Sequence, residues 1–584
     1  MITKSIKDGS MVTDQVHKIN LLPGIIIVIF QLLLRYLLPA LAPKAAAIGF
    51  LGGVACGLTL VVWWLFFSRA ARTERWGAIV LIIIVMYITS LFLDKSIATA
   101  NMGLMFIIFS IPVISLSFVI WAVVTRNQST VARRVSLIIF IILASGSWTL
   151  LRTNGMTGDG KHKLGWRWAT TREEMLLAID VSEDTIATLP AIIDSVAVWP
   201  GFRGPDRNGI VKNLVINSEW SASPPEEIWR RAVGPGCSSF AVNGSMLYTQ
   251  EQLGEYEAVS CYNLTDGSPV WKYKYKARFE ESHAGPGPRS TPTLSGNHLF
   301  SLGATGILNA LDASTGSVIW SRNAAEDTGI EIPQWGFAGS PLISGDFVIA
   351  GLAGKMTAYD ISTGSPKWTG PDGGSGYSSP QLFNLNGVPQ VIFMSKSGAV
   401  SIEPGSGKEI WDYQWEIQDR ILQPSFIEGG DLLLSGENKS ISRISVKQER
   451  GEYIAREVWN SSGYKVNFND FVIHKGYAYG FDGPGLICID LKDGRRMWRG
   501  ARYRGFQILL ADQELIIILT EKGEVALVSA DPLKFREIAK IQALKSKTWS
   551  HPVIARNILV VRNHEEMAAY RLDIRKNSDK FSSQ

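Results

Sequence analysis

A motif that recurs at regular spacing constrains the fold of this chain more than any other feature. An acidic or amide residue is followed by Gly and then by Trp, at steps of four residues. The clear copies are Asn263, Gly267 and Trp271; Asp312, Gly316 and Trp320; Asp360, Gly364 and Trp368; Glu403, Gly407 and Trp411; and Asp490, Gly494 and Trp498, with degenerate units that end at Trp459 and lie around Phe535. Asp and Asn accept hydrogen bonds from nearby backbone amides, and Gly tolerates a positive φ, so this pattern favours a tight turn. Each copy therefore predicts a β-hairpin whose second strand carries Trp.

A second marker separates the hairpins. At eight places, small or polar residues precede an apolar segment. These places are 238–240, 290–292, 339–341, 378–380, 422–424, 469–471, 505–507 and 550–552. Pro is common there and is tolerated at the start of a strand. Eight units of about four strands each predict an eight-bladed β-propeller.

The two ends of the repeat region complement each other. Trp229 stands in a final strand with no hairpin before it, whereas 567–573 forms a hairpin strand that lacks its Trp. We expect these strands to pair and complete one blade. That pairing closes the ring and leaves no unpaired edge between first and last blade.

The N-terminal part of the chain is strongly apolar. Residues 20–151 contain eleven charged side chains, and five apolar runs lie between them, at 21–42, 45–67, 77–93, 102–124 and 135–151. Each run approaches the ~20 residues that a helix needs to cross a bilayer. The sequence therefore predicts an α-helical membrane domain of five helices. These runs contain no carboxylate or His inside the membrane, which favours an anchor or docking platform over a proton pathway.

The basic residues predict the orientation of these helices. With the N-terminus inside, the inner segments carry nine Lys and Arg residues and the outer turns carry three. Basic residues concentrate on the cytoplasmic side, so we expect an uncleaved, multi-pass protein of the bacterial inner membrane. An odd number of helices then places the C-terminal domain in the periplasm.

Three regions follow from these patterns: a transmembrane helical domain at 1–151, a linker at 152–198 and a propeller at 199–584. Thr171 and Glu174 form a capping box that predicts a short helix over 172–180 within the linker.

Hydrophobic residues make up 46% of the chain, which excludes general disorder. The net charge is only +5, and no basic patch is interleaved with aromatic residues, so nucleic acid is not an expected partner.

The repeats, for example 308–320 (LNALDASTGSVIW), resemble the pyrroloquinoline-quinone (PQQ)-type repeats of quinoprotein propellers over about 225–575. That family includes PQQ-dependent alcohol and glucose dehydrogenases and also non-catalytic assembly lipoproteins. The layout of five helices before a propeller is similar to that of the membrane-bound PQQ glucose dehydrogenase, which is longer. The adjacent cysteines of many such alcohol dehydrogenases are absent from this sequence.

The resemblance implies a site for PQQ and Ca²⁺ at the channel mouth, if the chain is an enzyme. Asp470 is the candidate catalytic base and, with Asn469, the candidate Ca²⁺ ligand. Arg289, Trp335, Asn469 and His551 are the candidate cofactor-binding residues. Each has a plainer interpretation: a strand-start cap for Asn469 and Asp470, packing for Trp335, a loop residue for His551, and a carboxylate partner for Arg289. Since a strand-start carboxylate is not core, we expect replacement of Asp470 by Ala to preserve the fold. Trp229, Trp271, Trp320, Trp368, Trp411, Trp459 and Trp498 are the candidate structural residues of the repeat.

Three functions remain open from the sequence. The first is a membrane-anchored propeller that binds a ligand or another envelope protein without catalysis. The second is a PQQ- and Ca²⁺-dependent alcohol or sugar dehydrogenase that passes electrons to membrane quinone. The third is a receptor or sensor. Reconstitution with PQQ and Ca²⁺ distinguishes the first from the second.

Overall fold

The computed structural model describes residues 20–42, 45–157, 162–180, 196–385, 387–415, 421–436 and 440–574. The chain divides into two compact units. One holds the apolar helices and a hairpin that follows them, and the other holds the β region together with the helix that precedes it.

Five helices in the described part of the first unit are long and apolar enough to cross a membrane. They span Leu22–Leu41, Ile48–Phe67, Arg72–Ser90, Met105–Val124 and Thr130–Leu150. Their element bounds are Leu22–Leu32, Leu33–Leu37 and Leu38–Leu41; Ala46–Val62 and Trp63–Phe67; Arg72–Ser90; Lys95–Ala98; Met105–Val124; and Thr130–Gly146 with Ser147–Leu150. The five predicted helices are confirmed. The third and fifth begin earlier than their apolar runs, because polar residues form their first turns; Ser129 caps the fifth by accepting a hydrogen bond from the amide of Ala132.

Polar contacts link neighbouring helices of this unit. Arg133 and Glu74 form an ion pair of 3.2 Å with both side chains nearly buried. Gln31 donates a hydrogen bond of 2.8 Å to the carbonyl oxygen of Gly53. The hairpin of Leu151–Met156 and His162–Trp166 completes the unit.

The β region is a propeller of antiparallel sheets. Among the described residues there are eight sheets of four or five strands, numbered here 1 to 8 in the order of their first strands. The strands of sheets 1 to 4 are Ala241–Asn243, Met246–Leu253, Tyr256–Asn263 and Pro269–Lys276; Thr293–Ser295, His298–Leu302, Ile307–Asp312 and Val318–Asn323; Leu342–Ser344, Phe347–Leu352, Lys355–Asp360 and Pro366–Asp372; and Gln381–Leu385, Val388–Ser395, Gly398–Ile402 and Glu409–Gln414. The strands of sheets 5 to 8 are Ser425–Ile427, Asp431–Gly436, Ser440–Glu449 and Glu452–Ser462; Val472–His474, Tyr477–Asp482, Gly485–Asp490 and Arg496–Arg502; Gly505–Leu510, Leu515–Thr520, Glu524–Ser529 and Glu537–Gln542 with Ile210–Val211 added; and Val553–Ala555, Ile558–Arg562 and Glu566–Arg571 with Glu226–Ala232. In sheets 1 to 7 the strands lie in chain order, whereas in sheet 8 the strand Glu226–Ala232 comes last. The first strands of several neighbouring sheets contact each other.

The Gly and Trp of the motif join neighbouring sheets. The Trp271 indole donates to the carbonyl oxygen of Ala313 at 3.1 Å. Ala313 directly follows Asp312, the acidic residue of the next copy of the motif. The Trp271 ring covers Gly316 so closely that a Cβ there would lie 2.5 Å from the indole, and Gly316 also has a φ of +73°. The same donation occurs from Trp229, Trp320, Trp368, Trp459 and Trp498. Gly is therefore required both by its own turn and by the Trp of the preceding unit.

Trp411 departs from this rule. Its indole donates to the side-chain oxygen of Gln390 in its own sheet, at 2.7 Å. The next sheet turns instead through the long hairpin of Ser440–Glu449 and Glu452–Ser462, which lacks the motif and so offers no equivalent carbonyl.

The expected pairing of the two ends of the repeat region is confirmed. Glu226–Ala232 lies antiparallel to Glu566–Arg571, with Trp229 opposite Ala569. Arg230 reinforces the pair by hydrogen bonds to Glu566 and Tyr570. Sheet 8 thus contains strands from both ends of the β region.

The predicted short helix is also present, at Arg172–Asp180. Thr171 and Glu174 make both hydrogen bonds of the capping box, at 2.6 and 2.9 Å. Glu173 accepts from the Gly254 amide and from Arg278, so this helix is attached to sheet 1.

Candidate functional site

The first strands of the sheets line a central channel and run in one direction, so the channel has two distinct ends. Residues that precede these strands lie at one end, called here the strand-start end. Residues in the turns that follow them lie at the other, called the strand-finish end. The predicted site residues precede first strands and therefore fall at or near the strand-start end.

A chain of hydrogen bonds runs around the channel at the beginning of the first strands. In each step, a backbone amide of one sheet donates to a side-chain oxygen of the next. The steps are Ser239 to Thr291, Thr291 to Ser340, Ser340 to Ser379, Ser379 to Gln423, and Gln423 to Asp470, at 2.7 to 3.1 Å. We call these six residues the belt. The small and polar residues that mark the strand starts are thus inter-sheet hydrogen-bonding groups.

Asp470 has two protein partners in addition to its place in the channel wall. Its Oδ1 accepts the Gln423 amide at 2.8 Å, and its Oδ2 lies 3.7 Å from Nη1 of Arg203. The Asp470 and Arg203 side chains are 4% and 3% exposed. Burial raises the pKa of Asp470 against the opposing effect of Arg203, and burial lowers the pKa of Arg203. The expectation that this carboxylate lies outside the core is wrong, because Arg203 covers it.

Arg203 belongs to a segment that enters the channel. Residues 199–211, called here the plug, contact sheets on several sides. Trp199 exchanges two backbone hydrogen bonds with Val242 of sheet 1, and Arg207 donates to the carbonyl oxygens of Ser340 and Pro341 at sheet 3. Arg203 donates to the carbonyl oxygen of Phe471 at sheet 6, at 2.6 Å. The plug ends as a fifth strand, Ile210–Val211, parallel to the first strand of sheet 7.

The other predicted cofactor residues divide between two places. The ring centroid of His551 lies 4.2 Å from that of Phe506 and 5.0 Å from that of Phe202 in the plug. Burial and the nearby Arg203 lower the pKa of His551 well below its usual value. Asn469 donates at 2.7 Å to the carbonyl oxygen of Gly505. These two residues therefore lie with Asp470 at the level of the belt.

Arg289 and Trp335 lie at the strand-start end with partners of their own. Arg289 pairs with Glu281 at 3.3 Å, which confirms the predicted carboxylate partner. It also donates to the carbonyl oxygens of Gly285 and Gly287. Trp335 packs against the Tyr377 ring at 5.0 Å. In the described part of the chain, neither residue hydrogen-bonds to Asp470.

These residues do not fit a Ca²⁺–quinone centre. The Asp470 carboxylate is occupied by Gln423 and Arg203, and the plug covers the belt where Asp470 and His551 lie. No group of three or more His, Cys, Asp or Glu side chains suited to a metal ion occurs among the described residues. The predicted metal and cofactor residues therefore have separate structural contacts. Asp470 binds the belt and the plug, and His551 packs against the plug. Asn469 binds the backbone of Gly505, and Arg289 holds a loop.

A broad open cavity lies at the strand-finish end beside the plug. We call it the basin. It has a volume of 1430 Å³ and is bordered by first strands of sheets 3 to 6 and by the plug. Phe383 and Phe426 stack in its wall with ring centroids 5.7 Å apart, and Leu382 and Phe426 are 41% and 39% exposed. The basin therefore presents an accessible apolar surface within the propeller.

The basin is also biased toward positive charge. Six basic and three acidic side chains line it. Arg203 and Arg207 bind backbone carbonyls, and Arg443 pairs with Asp431 at 2.6 Å. Lys212 and Lys492 are exposed and make no ion pair with the described residues. Sequence reasoning missed this cavity, because its residues follow the strand starts and share no motif.

A match to a known protein family covers part of this propeller. The family model PQQ_2, described as "Outer membrane protein assembly factor BamB", matches residues 221–389. Residues 221–389 therefore contain PQQ-like repeats. The resemblance noted in the sequence is therefore confirmed for the propeller, and the matched residues include sheets 1 to 3.

Three curated proteins are similar to parts of the chain. The tetrathionate hydrolase of Acidithiobacillus ferrooxidans is 27% identical over 251 residues, 39% of this chain and 47% of that protein. The outer membrane protein assembly factor BamB of Shewanella oneidensis is 25% identical over 360 residues, 58% of this chain and 77% of that protein. The quinohemoprotein alcohol dehydrogenase ADH-IIG of Pseudomonas putida is 25% identical over 243 residues, 38% of this chain and 32% of that protein. The matches thus span about half of the hydrolase and a third of the dehydrogenase, and PQQ-like repeats serve proteins of different function.

Proposed function

We propose that this protein is a membrane-anchored docking module. Its helices hold the PQQ-like propeller at the outer face of the inner membrane, and the basin receives an extended polypeptide segment of another envelope protein. The observation that carries the proposal is the basin itself: a cavity of 1430 Å³ with exposed apolar and exposed basic side chains.

The plug provides a precedent for strand addition inside this channel. Ile210–Val211 pairs in parallel with the first strand of sheet 7, and the Leu509 amide donates to the carbonyl oxygen of Gly209 at 2.9 Å. Around the basin, the first strands of sheets 4, 5 and 6 have no second strand partner among the described residues. An extended segment gains main-chain hydrogen bonds when it adds to such an edge.

The buried side-chain amide of Gln381 favours a ligand that offers main-chain carbonyl oxygens. Gln381 begins the first strand of sheet 4 in the basin wall and is 2% exposed. Its Nε2 has no hydrogen-bond partner in the described part of the chain. Such a group carries a desolvation cost of about 1–3 kcal/mol unless a ligand satisfies it. A peptide carbonyl oxygen is a suitable acceptor.

The side chains around the basin favour an acidic segment with apolar anchors. Lys212 and Lys492 attract carboxylates, while Phe426 and Leu382 offer apolar contact. Electrostatic complementarity of this kind speeds association and selects partners. The relative described as an outer membrane protein assembly factor supports an envelope protein as the partner. The dehydrogenase alternative is not preferred, since the belt residues do not fit its cofactors.

A labelled peptide that alternates Asp with Phe and Leu should bind the purified protein, and fluorescence anisotropy measures the affinity. We expect it to bind about tenfold more tightly than the same peptide with Lys in place of Asp, a difference of about 1.4 kcal/mol. Phe426→Asp should abolish binding of the acidic peptide, because it replaces an apolar contact with a repelling charge. The double variant Lys212→Glu and Lys492→Glu should remove the preference for Asp.

Val318→Asp is the matched control. Val318 is also exposed, at 45%, but it lies on the outer strand of sheet 2, away from the basin. Its replacement should leave peptide binding unchanged. Equal affinity for the acidic and basic peptides, absence of binding to both, or an equal loss in Val318→Asp and Phe426→Asp would each contradict the proposed docking site.

The proposed orientation has its own test. A reporter enzyme that is active only outside the cytoplasm should be active when fused after residue 160 and silent when fused near Arg72 or Arg133. The nine basic residues of the predicted inner segments favour this result, because positively charged segments stay in the cytoplasm. The opposite pattern would place the propeller inside and remove the periplasm from the proposal.

A further inference from the structure

A cysteine and a histidine meet at the strand-start end, far from the basin. Cys237 lies between the outer strand of sheet 8 and the first strand of sheet 1, and His564 lies in the turn before Glu566–Arg571. The Sγ of Cys237 and the Nε2 of His564 are 3.5 Å apart, although 327 residues separate them in the chain. Both residues are partly exposed.

The other cysteines of the propeller differ from Cys237. Cys261 and Cys488 are buried within sheets 1 and 6, two residues before the turn residues Asn263 and Asp490. Burial raises the pKa of the Cys488 thiol to about 12 and that of Cys261 well above its usual value. These thiols are protected structural side chains, as expected for buried cysteines in apolar surroundings.

Cations surround the Cys237–His564 pair. Lys547 and Arg562 both interact electrostatically with Cys237, and Arg562 is fully buried. Lys547 lies 4.0 Å from the Trp549 ring centre and donates to the carbonyl oxygen of His283 at 2.7 Å. Burial lowers the pKa of Lys547 to about 8. The nearby acid Glu281 is paired with Arg289 at 3.3 Å.

The imidazole is placed to accept a hydrogen bond from the thiol. Burial, followed by Lys547, Arg289 and Arg562, lowers the pKa of His564 well below its usual value. The ring is therefore neutral, and Nε2 is able to accept the S–H hydrogen of Cys237. A thiol with a positioned acceptor and nearby cations is the setting in which cysteines react.

We propose that Cys237 and His564 form a thiol–disulfide exchange site for small anionic disulfides. His564 Nε2 holds the hydrogen bond that orients the thiol, the S–H proton of Cys237 passes to solvent, and the resulting thiolate Sγ attacks one sulfur of the disulfide. The new Sγ–S bond forms as the S–S bond breaks, and the departing sulfur takes the bonding electrons and then a proton from solvent. The products are a mixed disulfide on Cys237 and one free thiol, so no further oxidant or reductant takes part. Lys547 and Arg562 select anionic reagents by attraction. The inference is independent of peptide docking in the basin.

The test compares two disulfides on the full-length protein in detergent. Dithiobis(nitrobenzoate) is anionic and releases a coloured thiolate, and cystamine is cationic and is followed by the mass of the labelled protein. The rate of each reagent with the protein is divided by the rate of the same reagent with free glutathione. This ratio removes the reagent's own reactivity from the comparison. We expect one fast-reacting thiol. Its rate relative to glutathione should be about tenfold or more higher with the anionic reagent than with the cationic reagent. Peptide mapping should place the label on Cys237.

Variants separate the roles of the residues. Cys237→Ser should abolish the fast phase, whereas Cys261→Ala should retain it. His564→Gln should slow both reagents by about tenfold or more, because it removes the ring nitrogen that orients the thiol. Lys547→Met should reduce only the anionic preference. A thermal melt followed by circular dichroism checks that each variant is folded, and His564→Asn provides a smaller replacement if the Gln variant is not.

Two results would overturn the inference. If folded His564→Gln reacts at the wild-type rate, the contact is a structural hydrogen bond alone. If Cys237 reacts no faster than glutathione, or shows no preference between the two reagents, the surrounding cations do not form a site for anionic disulfides.

Discussion

Replacement of Asp470 by Ala is expected to lower the free energy of unfolding of the propeller by about 3 to 5 kcal/mol, the range for removing one partner of a buried ion pair. The variant leaves the Arg203 guanidinium buried without its carboxylate. It also leaves the Gln423 amide of the belt without its acceptor. Urea denaturation of the purified protein, followed by circular dichroism of the β-sheet signal, measures the change.

Three further variants test the cause. Asp470→Asn keeps an acceptor for the Gln423 amide and should lose less stability than Asp470→Ala. The double variant Arg203→Met with Asp470→Leu should recover much of the loss, because well-packed apolar side chains often replace a buried ion pair without cost. Asp493→Ala removes an exposed turn carboxylate and should change the free energy of unfolding by less than about 1 kcal/mol. A change of that small size in Asp470→Ala would show that the plug does not depend on this pair.

The position of Asp470 at a strand start was predictable, whereas its ion pair was not. The small or polar residue before an apolar run marks the beginning of a strand locally. Arg203 lies in a turn-rich segment with no apolar period, and its hydrogen-bond acceptor Phe471 is 268 residues away. Only closure of the ring brings the two together. The expectation that Asp470 lies outside the core was wrong because the sequence holds no local sign of the plug.

The hairpin motif illustrates the opposite case. Asp312 and Gly316 form the turn that their spacing predicts, with the Gly316 amide donating to the Asp312 carbonyl oxygen at 2.8 Å. The motif repeats because Trp271 of the preceding unit covers that same Gly. An inter-sheet contact therefore recurs once in every regular unit and leaves a periodic trace in the sequence. The basin and the Cys237–His564 pair occur once each and leave no such trace.

The helical domain was predictable for a related reason. Its signal is the length and hydropathy of single segments, such as Met105–Val124, and needs no information about neighbours. Individual contacts within it, such as Arg133 with Glu74, depend on how the helices pack. The sequence thus predicts the number of helices and their approximate bounds, but not the polar pairs between them.

Deletion of residues 567–584 is expected to abolish cooperative unfolding of the propeller. It removes most of the strand Glu566–Arg571, which pairs with Glu226–Ala232 to close sheet 8. Backbone pairing contributes about 1 kcal/mol for each hydrogen bond, and burial of Met567 adds about 2 kcal/mol. The total is on the order of 5 kcal/mol or more, against a typical domain stability of about 5 to 15 kcal/mol. Thermal unfolding of the full-length and truncated proteins in the same detergent measures the effect.

A shorter deletion separates loss of the strand from loss of chain length. Removal of residues 575–584 alone retains Glu566–Arg571 and the bridge between Ile216 and Ile574. This variant should unfold at nearly the wild-type temperature with one sharp transition. The longer deletion exposes the outer strand Glu226–Ala232 on one side and Ile558–Arg562 on the other, and such edges favour aggregation. If the protein lacking 567–584 unfolds as sharply and at the same temperature as the protein lacking 575–584, then pairing between the two ends of the β region does not hold the ring together.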